Sequence, residues 1–179
     1  MRPGLAPDGA PRGLRFGSWT ELNEDCTNPV RNRAIQGPSP PGSTCKVVSM
    51  LAALRFGMIN RDTRMPVACN GGFNFGGRRA ACWDKHGHGS VDLLTALQFS
   101  CDVHFYHLGL RLGLDKIQST ARALGMGEKT GIDLPAESRG LIPTEAYYDR
   151  HFKSGHWPRG VLLNLGIGQG ELLATPLQL

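Results

Sequence analysis

The sequence predicts an α+β chain in which helices dominate, and three stretches carry that prediction. Residues 43–56, "STCKVVSMLAALRF", place Val47, Met50, Leu51 and Leu54 on one stripe at helical spacing, with Gly57 able to close the helix. Residues 90–124 hold the longest helical run. It opens with Ser90 as a candidate N-cap and Asp92 in the first turn, and ends with Ile117, Ala121 and Leu124 in register before Gly125. Between these two, residues 60–89 contain "NGGFNFGGRR" and "KHGHG", glycine-rich and without a period, which reads as turns with room for a short hairpin.

The other segments follow in order. Residues 1–13 are rich in Pro, Gly and Ala and read as irregular, and residues 14–42 are a loop-rich approach broken by "NP", "GP" and "SPPG". Residues 126–160 return to loops. "VLLNLGI" at 161–167 fits a buried strand or the start of a helix, and "ATPLQL" begins a further helix with Pro176 in its first turn.

The chain has 179 residues, 40% hydrophobic and 20% charged, with a net charge of +5. That length suits one domain or a large part of one. The arginines are scattered and do not alternate with aromatics, which argues against nucleic-acid binding. No apolar run approaches the ~20 residues that a membrane helix needs, and the opening "MRPGLAPDGAPRGLRF" lacks the apolar core of a signal peptide.

The stretch around Ser43 carries chemistry. A serine hydroxyl is a weak nucleophile at neutral pH and needs a base. Lys46 lies three residues on, on the same helix face and within side-chain reach. Unsatisfied N–H groups at a helix start favour negative charge on the serine oxygen, and burial would push the lysine toward its neutral, basic form. The spacing alone is common, and Ser43 would equally serve as an ordinary N-cap.

The wider context is more specific. "NRAIQGPSPPGSTCK" resembles the active-site serine segment of the penicillin-binding transpeptidases, and "ALQFSCDVHFYHLG" resembles their second motif, Ser-x-Asn or Ser-x-Asp between two helices. "TGIDLPAESRGLIPT" and "GIGQGELLATPLQL" resemble two further segments in the same order, so the likeness covers about residues 14–179. "GHGSVDLLTALQFSCDVHFY" is similar to the elongation-specific branch. The resemblance implies the fold shared by these transpeptidases and the serine β-lactamases. It implies that Ser43 attacks the D-Ala–D-Ala carbonyl of a peptidoglycan stem peptide, that Lys46 takes its proton, that Ser100 shuttles a proton toward the leaving group, and that Asp102 orients Lys46 or the substrate. Penicillin would acylate the same serine.

The family also needs a third motif, Lys-Thr-Gly or similar, on a strand lining the cleft. "EKTGIDL" offers Lys129, Thr130 and Gly131, but it follows a helix end, and Pro135 cuts the run short. It is expected to be a loop. By resemblance the true motif comes after "GQG…TPLQ". Residues 14–179 are therefore expected to be an incomplete transpeptidase domain, mostly its helical part, truncated before the third motif and without the later sheet strands.

Five cysteines occur, at 26, 45, 69, 82 and 101. Cys69, Cys82, His88 and Cys101 would make a closed, structural zinc site of three thiolates and one imidazole, with Gly71, Gly72, Gly87 and Gly89 letting the backbone turn. The resemblance supports this, because some relatives carry zinc in this region with a His in the "GHG" position. A Cys69–Cys82 disulfide or three buried free thiols are the alternatives. His86 could substitute for His88, and Trp19, Trp83 and Trp157 are expected to be packing residues.

Three functions remain open on these residues: a fragment of a peptidoglycan D,D-transpeptidase, a β-lactamase or β-lactam sensor of the same fold, and an inactive truncated product with a zinc-stabilised subdomain. The resemblance further implies stem peptides and β-lactams as ligands, an elongation glycan polymerase and cell-shape scaffold proteins as partners, and the periplasmic face of the inner membrane as the location.

Overall fold

The computed structural model describes residues 16–152 and 156–179. The irregular segment expected at 1–13 lies outside them. Two units are distinguished, Met1–Asn32 and Arg33–Leu179. In the first, helix α1 spans Phe16–Glu24, inside the approach expected to be loop-rich. Asp25 then accepts hydrogen bonds from the N–H and the hydroxyl of Thr27, both at 2.8 Å, closing a side-chain turn.

The second unit starts with the short helix α2, Arg33–Gln36. A 3-10 turn, Gly42–Cys45, then feeds helix α3, Lys46–Arg55. The expected apolar stripe is not what α3 buries. Lys46, Val48, Ser49, Ala52 and Ala53 face inward, while Val47, Leu51 and Leu54 stay 42, 37 and 41% exposed. The physical reason is closeness. α3 packs against the long helix α5, Asp102–Ala123, and two alanines with a serine permit an approach that leucines would block. Ser49 also donates to the Gly166 carbonyl at 2.9 Å, so its hydroxyl is satisfied in the core.

The glycine-rich stretch forms the hairpin, β1 Gly72–Phe75 and β2 Arg78–Ala81, antiparallel with Gly72 opposite Ala81 and Phe75 opposite Arg78. The run at 90–124 is two helices. α4, Leu93–Gln98, is capped by Asp92, whose carboxylate accepts from the Thr95 N–H at 2.8 Å, so Asp92 and not Ser90 is the N-cap. α5 follows, interrupted at Gly113, where φ is 72°. Gly125 turns the chain at φ 84° after the C-cap Leu124.

The loop expected over 126–160 contains α6, Glu145–His151, capped by Thr144 on the Tyr147 N–H. "VLLNLGI" is helical: α7 spans Val161–Gly166. α5 and α7 meet backbone to backbone. A Cβ at Gly109 would lie 2.2 Å from the Leu162 carbonyl oxygen, and one at Gly166 would lie 2.5 Å from that of Phe105. Val103, Phe105, Leu108, Leu112 and Ile117 of α5 pack with Leu162 and Leu165 of α7 in the core. Pro176–Gln178 form a final 3-10 turn with a capping box at Thr175. Among the described residues, no helix is long and apolar enough to cross a membrane.

Candidate active site

Ser43 sits in the 3-10 turn before α3, exposed, while Lys46 at the first position of α3 is wholly buried. Ser43 is therefore not the N-cap of a helix. Gly168 supports the turn from behind. The Gly42 N–H donates to its carbonyl at 2.7 Å, and a Cβ on Gly168 would come within 2.3 Å of the Gly42 oxygen and 2.4 Å of the Cys45 side chain.

The second expected motif arrives from the break between α4 and α5. Lys46 Nζ donates to the Ser100 carbonyl at 2.8 Å, to Ser100 Oγ at 2.9 Å and to Asp102 Oδ1 at 2.6 Å. Three oxygens thus surround the amine nitrogen. Ser100 Oγ in turn donates to Ser43 Oγ at 3.0 Å. Ser100 thus bridges the exposed hydroxyl and the buried amine. All four sequence-predicted residues converge in one chain of contacts. Ser100 adopts φ 50°, a left-handed conformation that costs a non-glycine residue roughly 1–3 kcal/mol. The turn that imposes it aims both oxygens of Ser100 at Lys46.

Asp102 has a second contact. Its Oδ2 accepts from the Trp83 backbone N–H at 3.0 Å, so each carboxylate oxygen is committed to a different element. Trp83 is 64% exposed, against the expectation of a packing role, and its indole Nε1–H donates to the Phe99 carbonyl at 2.9 Å. Trp83 was missed as a site residue because its partners lie 16 and 19 positions away and no local pattern marks them.

Lys129, Thr130 and Gly131 lie in a loop and not on a strand. Glu137 gathers that loop, accepting from the Thr130 hydroxyl at 2.6 Å, the Thr130 N–H at 2.7 Å and the Gly131 N–H at 3.3 Å. These donors, the Thr130 hydroxyl first, hold its carboxyl below the usual range.

Beside the second motif, the side chains of Cys69, Cys82, His88 and Cys101 meet, each offering one ligand atom, all within 4.8 Å of one another. His88 Nδ1 is 3.6 Å from the sulfurs of both Cys69 and Cys82. Tetrahedral coordination with metal–sulfur bonds near 2.3 Å and metal–nitrogen bonds near 2.0–2.1 Å requires a sulfur–nitrogen edge of about 3.6 Å. The donor set therefore fits a metal ion. Gly71 and Gly87 make the fold of this corner possible: a Cβ on either would come within 2.1 Å of a carbonyl oxygen, that of Lys85 or Cys69. All five cysteines are unbonded, so the Cys69–Cys82 disulfide is not formed. His86 is exposed and stands outside the group. Burial pushes the Cys101 and Cys82 thiols up, and the neighbouring Cys69 adds to it.

Residues 11–179 match the penicillin binding protein transpeptidase domain. The peptidoglycan D,D-transpeptidase MrdA of Acinetobacter baumannii is 37% identical over 179 residues, 99% of this chain and 26% of that protein. The chain thus spans about a quarter of the length of this curated relative. The penicillin-binding protein PBP2 of Helicobacter pylori, solved as a complex with MreC, superposes with a TM-score of 0.83 at 37% identity, covering 93% of this chain and 31% of that one. A chain of a peptidoglycan synthase complex, described for its coordination of polymerization and crosslinking, gives 0.79 at 33% identity over 99% of this chain and 30% of its own. With the helical part of that fold in place around Ser43, Lys46, Ser100 and Asp102, this chain belongs to the penicillin-binding protein transpeptidase domain family.

Proposed function

We propose that this chain forms the acylating half of a peptidoglycan D,D-transpeptidase of the elongation-specific, PBP2-like kind. One observation carries the reading: an exposed hydroxyl is joined through a second hydroxyl to a buried lysine whose remaining contacts are fixed. Ser43 is the nucleophile. Lys46, in its neutral amine form, receives the Ser43 proton by way of Ser100 as the Ser43 oxygen bonds to the carbonyl carbon of the penultimate D-alanine. The amide C–N bond then breaks, and the same proton returns through Ser100 to the departing amine of the terminal D-alanine. An amine of a neighbouring stem peptide next attacks the ester. Its C–N bond forms, the Ser43 C–O bond breaks, and Ser43 recovers a proton from the incoming amine. Asp102 holds Lys46 on the path between the two hydroxyls.

A β-lactam mimics the donor peptide and would leave a stable ester on Ser43. Intact-mass analysis of the full-length protein with benzylpenicillin tests this. The expected result is one added penicillin on the peptide holding Ser43, and none in Ser43→Ala. Rapid hydrolysis of the adduct would instead favour a β-lactamase, and no adduct would favour an inactive product.

We infer zinc as the ion at Cys69, Cys82, His88 and Cys101, since soft sulfur and imidazole donors in a closed tetrahedral set suit it. Bound there, zinc would supply structural cross-linking and no chemistry at the carbonyl. Cys101 lies between Ser100 and Asp102, so its ligation would fix the loop that bears both. The solved relatives lead us to infer a cell-shape scaffold protein and a glycan polymerase as partners, with the enzyme working at the periplasmic face of the inner membrane.

A further inference from the structure

The turn between α4 and α5 is fastened by a residue that belongs to neither helix. Trp83 follows Cys82, just past the end of β2. Its backbone N–H holds Asp102 Oδ2 at 3.0 Å, and its indole N–H holds the Phe99 carbonyl at 2.9 Å. The two bonds bracket Ser100. One grips the carbonyl immediately before it, the other the carboxylate two residues after it. Ser100 is the residue held at φ 50°, a conformation it would leave if unrestrained. Burial of the indole does not explain its placement, because the residue is 64% exposed. Its ring instead lies 5.4 Å from His88, which stacks on Phe99 at 5.7 Å, so the three rings pile over the same turn.

We propose that Trp83 is a positioning residue for acylation. Its indole N–H pins the peptide entering Ser100, and so keeps the Ser100 hydroxyl and carbonyl aimed at Lys46 and the hydroxyl within reach of Ser43. The proposal rests on the acyl-serine reading above and adds to it a residue that touches neither substrate nor the reacting atoms.

Trp83→Phe removes the indole donor together with the five-membered ring that carries it. It keeps a ring and the backbone N–H that holds Asp102. In the full-length protein, acylation by a fluorescent penicillin is resolved into a pre-covalent dissociation constant and an acylation rate constant. The rate constant is expected to fall about fivefold to tenfold, the worth of one hydrogen bond. The dissociation constant, the thermal midpoint and the metal content should stay native. In parallel, nitrogen-15 labelling of the tryptophans reads hydrogen exchange at the indole N–H, with the 48% exposed Trp19 as an internal reference. Trp83 should exchange more slowly than Trp19 despite its greater exposure.

A native acylation rate in Trp83→Phe, or exchange at Trp83 as fast as at Trp19, overturns the proposal. So does a loss of rate that comes together with lost metal and a lowered midpoint, since that would be a plain structural role. Wild-type protein that takes no penicillin sinks the transpeptidase reading, whereas a wild type that is acylated beside an equally fast Trp83→Phe sinks this inference alone.

Discussion

Lys46 shows why the chemistry and the stability of this site cannot be separated at the level of single residues. Its amine is buried beside a carboxylate at 2.6 Å, and its other hydrogen bonds are both to Ser100. Lys46→Met keeps the shape of the stem but removes the proton acceptor and leaves Asp102 unpaired. Acylation should fall by about two to four orders of magnitude, and chemical denaturation should show a loss of roughly 3–5 kcal/mol, the penalty for half of a buried ion pair. His104 makes a second prediction. Burial pushes its pKa from the ordinary 6.5 down to about 4, so between those values the unfolded chain binds a proton that the native one refuses. Its contribution is therefore fully favourable above about pH 6.5 and is lost as the pH falls toward 4, by about 3 kcal/mol in all. Denaturation at pH 7 and pH 4.5 should show that slope in the native protein and a flatter one in His104→Phe. The four candidate residues were legible because two sequence segments resemble those of one family: a serine and a lysine one turn apart are common, and Ser100 and Asp102, 54 and 56 positions from Lys46, are tied to it by no local spacing. Trp83 was not, because its two partners are joined to it only by the fold.

At the level of elements, glycine and alanine decide the packing. α5 and α7 touch where Gly109 and Gly166 face carbonyl oxygens of the other helix. Gly109→Ala must push the helices apart, and it should lower stability by about 1–3 kcal/mol, read as a lower denaturation midpoint. Because α3 also packs on α5, penicillin acylation should slow as well. This same logic explains the misread face of α3. Hydropathy favours Val47, Leu51 and Leu54 as the inner stripe, yet Ala52, Ala53, Ser49 and Lys46 are what the helix buries. Small and polar groups went inside because two other helices and the hydrogen bonds of Lys46 needed the room. The hairpin and the capped starts of α4 and α6 follow from turn and cap chemistry that sequence does display. α6 was passed over although Thr144, Glu145 and the basic residues of its last turn mark both of its ends; α1 has neither an acidic first turn nor a basic last turn to mark it.

For the molecule as a whole, the candidate metal ligands and the proposed catalytic chain share one span of backbone. Cys101 stands in the cluster while Ser100 and Asp102 on either side of it hold Lys46. Stripping the proposed zinc with a chelator should therefore slow penicillin acylation while Ser43, Lys46, Ser100 and Asp102 stay intact, and zinc added back should restore it. Mass spectrometry after mild alkylation gives the matching structural readout. The loaded protein should react at the exposed Cys26, and the stripped one should gain label at Cys69, Cys82 and Cys101. Unchanged acylation in protein verified as metal-free would rule out the coupling.

Asp102 divides its two oxygens between Lys46 and the peptide N–H of Trp83. An asparagine there would keep a single acceptor and turn an amide N–H toward one of two donors. For this chain Asp102→Asn is therefore not a neutral exchange. Asp102 thereby couples the setting of the Lys46 amine to the peptide joining residues 82 and 83, so that a disturbance at either donor is passed to the other through one carboxylate.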